Sequence, residues 1–223
     1  MKKIIALILV FIMAFALVSC SDFVTTGADD KNGQAGGQAN GGNADDTGNA
    51  ADNIGTDPIT VVMEVRDFGA MTLELYPDIA PITVENFVNY VNDGFYNGLT
   101  FHRIYKGFMI QGGDPDGTGS GGQDLTPIKG EFAANGVEND LSHTRGTISM
   151  ARTNDMNSAT SQFFICDADS TFLDGQYAAF GKLIDGYDVL DSIADVEVTM
   201  NIWGNEITVP VEPVIIERVY VQE

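Results

Sequence analysis

A chain of 223 residues with 11 Lys and Arg against 32 Asp and Glu carries a net charge of −21, and only eight of its cations lie beyond residue 57, scattered singly. That leaves no basic face for a phosphate backbone or an anionic bilayer, so nucleic acid is excluded as a partner and a lipid surface could not be held by charge. Two cysteines and two histidines exclude a disulfide-stapled mini-protein and a Cys-rich zinc module, and neither a metal nor a cofactor is expected.

The chain opens with Met1-Lys2-Lys3 and an apolar run from Ile4 to Val18, shorter than the roughly 20 residues that span a bilayer as a helix. Residues 1–19 therefore read as a signal peptide. Leu17-Val18-Ser19-Cys20 resembles the lipobox of bacterial lipoprotein signals. That resemblance implies lipidation of Cys20 and a place on the extracytoplasmic face of a bacterial cell membrane, held by the lipid anchor alone. The alternative is an ordinary secretory signal followed by an incidental cysteine. Each buried CH₂ contributes about 0.8 kcal/mol, so two acyl chains anchor stably where one does not.

Residues 20–57 are Gly, Asn, Asp, Ala and Thr with almost nothing large and apolar. Such a segment cannot bury enough surface to offset the entropy of ordering it, and it reads as a disordered acidic linker. The remaining 58–223 form one domain of ordinary length with eight cations against twenty-five carboxylates, a net −17 that favours a monomer.

Within the domain, Thr60–Val65 and Met71–Tyr76 are β-rich runs separated by Asp67-Phe68-Gly69-Ala70, the pattern of a hairpin. A helix follows: Pro81 suits a first turn, Val84, Phe87, Val88 and Val91 recur at i, i+3, i+4 and i+7, and Asp93-Gly94 is a stop. Beyond it, short apolar runs punctuated by glycines, from Phe101 to Val221, argue for an all-β barrel or sandwich. Asp188–Ile193 is long enough only for a short second helix or a turn. Cys166, in the run Phe163-Phe164-Ile165-Cys166, is expected to be a small buried hydrophobe, since thiolate chemistry needs a polar, electropositive setting.

Gly117-Thr118-Gly119-Ser120-Gly121-Gly122 has the letters of a dinucleotide-binding turn. That motif needs a helix immediately after it, and here Pro127 and Gly130 interrupt, so a glycine-rich surface loop is expected. Asp167-Ala168-Asp169 begins like a calcium loop, but the required glycine falls on Phe172 and the closing glutamate on Ala178. Zinc-protease, nucleophile-elbow and P-loop signatures do not occur.

The informative stretch is Phe101-His102-Arg103-Ile104-Tyr105-Lys106-Gly107-Phe108-Met109-Ile110-Gln111-Gly112-Gly113-Asp114, one arginine among large apolar residues with a glutamine and a Gly-Gly turn close behind. Composition alone would allow a hydrophobic strand pair whose arginine snorkels to solvent. The run nevertheless resembles the signature of the cyclophilin family of peptidyl-prolyl isomerases. Thr147–Arg152, Ser161–Ile165, Phe172–Tyr177 and Phe180–Lys182 follow in the order and spacing of that family.

The resemblance implies a mainly β fold, a closed eight-stranded antiparallel β-barrel capped by two α-helices, with a substrate groove on its outer face. It implies that Arg103 is the catalytic arginine, polarising the prolyl nitrogen, and that Phe108, Met109, Phe164 and Leu173 line a proline pocket. Gln111 and Gln162 would be polar groups of the groove, and Ala151 and Arg152 its peptide-binding edge. Arg152 stands where many members have Asn, in a contact made largely by main chain. Tyr177 replaces a common His and keeps an aromatic wall. Phe172 replaces a frequent Trp whose indole N–H bonds cyclosporin; lacking that donor, this chain should bind cyclosporin weakly.

The function implied is rotation of X–Pro bonds in proline-containing polypeptides, assisting folding outside the cytoplasm. A groove that captures Pro-containing segments without isomerising them is the competing expectation. His102 invites a general-base role, but the reaction transfers no net proton and a structural role is expected. His143 and Arg145 carry no assigned chemistry.

Overall fold

The computed structural model describes residues 55–222. The predicted signal peptide, Cys20 and the linker as far as residue 54 lie outside the described residues. Among the described residues no helix is long and apolar enough to cross a membrane.

Strands β1 (Ile59–Val65) and β2 (Gly69–Leu75) form the expected hairpin, paired in unbroken register from Ile59 opposite Leu75 to Val65 opposite Gly69. Asp67 takes φ 66° in the turn, where Asp is one of the few side chains tolerated. Helix α1 (Pro81–Asn92) starts with proline in its first turn and buries Val84, Phe87 and Val91. No neighbouring side chain caps its start. Glu131, 48 residues from Thr83, does so instead, its carboxylate accepting from Ile82 N (3.1 Å), Thr83 N (2.8 Å) and Thr83 Oγ1 (2.6 Å).

The chain continues through β3 (Arg103–Tyr105), β4 (Met109–Gly112), β5 (Thr147–Met150), β6 (Phe163–Cys166), β7 (Ala179–Asp185), α2 (Tyr187–Ala194), β8 (Val198–Met200), β9 (Ile207–Pro210) and β10 (Ile216–Val221). Eight strands make one antiparallel sheet in the order β10-β1-β2-β7-β5-β6-β4-β3; β8 and β9 form a separate two-stranded ribbon that the sequence did not suggest. The sheet is curled, and in place of the closed barrel's ladder between its edge strands β3 and β10 there is one isolated bridge, Thr100 to Ile215, in the segments that lead into them. Backbone bonds from Gly98 N to Ile216 O, Ile216 N to Leu99 O and Phe101 N to Val214 O flank it.

The interior is aromatic. Phe87 packs edge-on to Phe163 at 5.6 Å and against Tyr96 at 5.0 Å, and the Tyr96 hydroxyl donates to Ser161 O (3.1 Å). Each fully buried side chain of this size contributes on the order of 1.5–3 kcal/mol. Alternation along the strands then does something further. Phe163 and Ile165 of β6 and Ile110 of β4 enter this core, while Phe164, Cys166 and Met109 project to the opposite face and form a second apolar cluster with Leu173. Around Met109, Phe164 and Cys166 the sheet is therefore buried on both faces.

Candidate active site

The second cluster is organised by strand register. Arg103 of β3 lies directly opposite Gln111 of β4, Gln111 opposite Phe164 of β6, and Phe164 opposite Ser149 of β5. Directly opposed residues share a face, so arginine, glutamine, phenylalanine and serine form one row across four strands of the outer surface. Met109, two residues before Gln111, extends the same face beside Cys166.

A polar chain runs along the row. Arg103 Nη1 donates to Gln111 Oε1 (3.3 Å), Gln111 Nε2 to Gln162 Oε1 (3.0 Å), and Gln162 Nε2 to Gly121 O (3.2 Å). Arg103 Nη1 also lies 3.7 Å from the Met109 sulfur, which places the guanidinium edge against the apolar wall. Its other edge is taken: Nε and Nη2 each donate at 2.8 Å to the two carboxylate oxygens of Glu206. The guanidinium beside it holds the Glu206 carboxyl below its ordinary range, burial opposing.

The wall opposite is aromatic. Phe164 is 5% exposed, meets Tyr177 edge-to-face at 5.9 Å and stacks on His143 at 6.0 Å with 17° between the planes. His143 is itself buried, with Nδ1 2.8 Å from Asp174 Oδ1 and Nε2 3.0 Å from Ser149 Oγ. Burial pushes its pKa down more strongly than Asp174 raises it, so the ring that backs Phe164 is neutral near pH 7. Asp174 is fixed in turn by His143 N and Ser142 Oγ, both at 2.7 Å.

The remaining sequence-selected residues fall around this centre unequally. Phe108, Leu173 and Tyr177 pack on the second cluster, as does Ala151, whose N–H donates to Gln162 O (2.9 Å). Phe172 is 64% exposed, its ring 5.6 Å from that of Phe108, at the rim and not in the wall. Arg152 is engaged by its own loop and by Tyr177: Nε and Nη2 donate to Gln176 O, Nη1 to Thr153 O, and its guanidinium lies 4.6 Å over the Tyr177 ring. It thereby braces Tyr177 from behind.

The glycine-rich segment is a loop wound around Asp114, whose carboxylate accepts from the N–H groups of Asp116, Thr118, Gly119 and Gly121. Burial alone would raise the Asp114 pKa, but these backbone bonds outweigh it and hold the carboxyl below its usual range. At Gly121 an added Cβ would fall 1.9 Å from Asp114 Oδ1, which explains the glycine without any phosphate. Glu206, Ser149 and Asp174 were not singled out in the sequence, and His143 had no assigned role; their signal is purely non-local, 103 residues separating Arg103 from Glu206.

Comparison with known proteins agrees with this arrangement. Residues 60–221 match the family described as Cyclophilin type peptidyl-prolyl cis-trans isomerase/CLD. A peptidyl-prolyl cis-trans isomerase of Acinetobacter baylyi is 45% identical over 168 residues, covering 73% of this chain and 86% of that one. Peptidyl-prolyl cis-trans isomerase B of Escherichia coli is 43% identical over 163 residues, covering 70% and 95%. The crystal structure of a Cryptosporidium parvum cyclophilin superposes with a TM-score of 0.66 at 30% identity over 75% of this chain and 99% of that one; the same protein was also solved in the presence of the dipeptide Ala-Pro, with a TM-score of 0.65. On its sequence, its fold and the face that fold exposes, the chain belongs to the cyclophilin-type peptidyl-prolyl cis-trans isomerases.

Proposed function

We propose that this isomerase turns X–Pro bonds by holding the proline ring against Met109, Phe164 and Leu173 while Arg103 directs a guanidinium N–H at the prolyl nitrogen. The observation that carries the reading is the row in which Arg103, Gln111 and Phe164 stand opposite one another on neighbouring strands. An amide resists rotation because resonance imposes a barrier of about 18–20 kcal/mol, and uncatalysed X–Pro exchange takes tens to hundreds of seconds. Millisecond turnover asks for about 10⁵-fold, or roughly 7 kcal/mol.

As the bond twists, the nitrogen lone pair leaves resonance and becomes an acceptor, so an N–H aimed at it bonds the transition state and not the planar ground state. Such a charge-assisted bond supplies about 1.5–3 kcal/mol. The balance comes from fixing the ring in the apolar wall while the carbonyl side rotates. No proton is transferred, which leaves His143 and His102 without an acid or base role.

The polypeptides acted on are extracytoplasmic in this proposal, because Met1–Val18 and the lipobox-like Leu17–Cys20 support export and lipid anchoring. Exchange of Cys20 for Ser is expected to release the protein from the membrane fraction; retention there would refute anchoring through that thiol.

The mechanism is tested by a protease-coupled isomerisation assay on the full chain, with folding of each variant checked by circular dichroism. Arg103→Ala is expected to lower kcat/KM at least tenfold with the fold intact, and Arg103→Lys to fail as well, since a point ammonium lacks the planar fork. Wild-type rates in both variants would remove Arg103 from the mechanism. Rates in the wild type no better than the uncatalysed value would leave a groove that binds without turning over.

A further inference from the structure

Glu206 is not part of the motif that identified Arg103, yet it controls where that arginine points. It stands immediately before β9, and its backbone carbonyl accepts from Asn201 N (2.7 Å), closing the β8–β9 ribbon. The ribbon is itself pinned by Met200 opposite Ile207 and Val198 opposite Pro210. Beside the carboxylate, the buried Thr208 hydroxyl lies 3.4 Å from Oε2. The carboxylate is thus presented to Arg103 on a backbone that is already fixed.

An arginine has five N–H donors in one plane. Glu206 takes one from Nε and one from Nη2 at 2.8 Å each, the parallel fork that fixes both the position and the plane of a guanidinium. What remains on Nη1 meets only weaker partners, the Gln111 amide oxygen at 3.3 Å and the Met109 sulfur at 3.7 Å. The strongly bonded edge therefore faces away from the apolar wall and the weakly bonded edge faces it. A substrate nitrogen can compete for the second edge without breaking the fork.

We propose that Glu206 is a positioning residue for the isomerase reaction: it touches no substrate, but by clamping the Nε and Nη2 edge of Arg103 it keeps the Nη1 edge presented to the proline pocket. This rests on the assignment of Arg103 made above. The β8–β9 ribbon, outside the main sheet, is then a working part of the site. Pocket residues that hold the ring are untouched by Glu206, so the effect belongs in kcat and not in KM.

The test is steady-state isomerisation by the full chain in a double-mutant cycle. Glu206→Ala is expected to lower kcat about tenfold, the scale of a misplaced catalytic group, with KM within about twofold. Glu206→Gln, which keeps one acceptor and the volume of the side chain, is expected to recover part of the loss. In the Arg103→Ala background Glu206→Ala is expected to change nothing further, because a residue acting only through another is silent once that other is gone. Unchanged or faster turnover in Glu206→Ala overturns the proposal, and so does an equal loss in both backgrounds, which would mean a damaged fold. Wild-type rates in Arg103→Ala would instead defeat the underlying mechanism, and the two failures are told apart within one set of measurements.

Discussion

His102 gives the sharpest physical prediction because it is buried with neither ring nitrogen hydrogen-bonded among the described residues. It faces Gly119, where an added Cβ would lie 3.6 Å from Cδ2 and 3.7 Å from Nε2. Burial lowers its pKa from 6.5 to about 4, with Asp114 opposing and Arg103 adding slightly to the fall. The unfolded chain takes up its proton near 6.5 and the folded chain only near 4. Between those values the unfolded state binds more protons, so stability is full above about pH 6.5, declines as pH falls, and levels off below about 4. A displacement of that size corresponds to roughly 3 kcal/mol, a large part of the stability of an ordinary domain. Urea unfolding from pH 7.5 to 4 should show this decline in the wild type and a flatter profile in His102→Gln. Asp174 and Glu206, whose folded carboxyls titrate below their ordinary range, act in both proteins and cancel in the difference, whereas Asp114 is coupled to the His102 ring and the part of its fall due to that ring goes with it. Superimposable profiles, or a His102 ring signal titrating near 6.5 in the folded protein, would refute the reasoning.

Three further expectations are independent of it. Phe172→Trp places an indole N–H on the exposed ring beside Phe108 and should tighten cyclosporin inhibition by about two- to tenfold, the worth of one neutral hydrogen bond, with turnover of a Pro-containing peptide unchanged; an unaltered inhibition constant counts against the rim position. Gly113→Ala forces a Cβ to 2.4 Å from Ser161 O at φ 83°, whereas Gly107→Ala at φ 77° meets nothing within 4 Å. Urea midpoints should show the first costing at least about 2 kcal/mol more than the second, which bears only the left-handed penalty of about 1–2 kcal/mol. Cys166, whose thiol is pushed up to about 12 by burial and then by Asp174 and Asp169, should resist alkylation at pH 8 until the protein is unfolded; fast labelling of the native protein would contradict its packing.

What could be read from the sequence follows the range of the interactions involved. The β1–β2 hairpin and α1 rest on periodicities confined to a dozen residues, and they stand where the pattern placed them. Arg103, Met109 and Gln111 sit on one tight hairpin, so the family resemblance that singled them out could rest on one continuous run of sequence. The β8–β9 ribbon was missed because a strand of three residues carries too little alternation to be seen. Glu206 was indistinguishable from the other carboxylates of an acidic domain until the fold brought it to Arg103. The cap of α1 by Glu131 and the stack of His143 beneath Phe164 are invisible for the same reason. That Phe172 stands at the rim is equally invisible in the sequence, because it is the short helical turn Thr171–Leu173 that sends Leu173 inward and Phe172 out.

The pairing of the first strand with the last sets an order on how the chain can acquire its shape. Arg218 and Glu64 bond across β1 and β10 from positions 154 residues apart. Closing a loop of that length costs about 4–5 kcal/mol of chain entropy, while β1 and β2 meet across a turn of a few residues. The hairpin therefore can form as soon as it is synthesised, but one edge of β1 has no partner until β10 arrives. During that interval an open strand edge faces other nascent chains. An isomerase of this topology is itself slow to complete, and loss of β10 alone would leave it with the exposed edge that aggregation exploits.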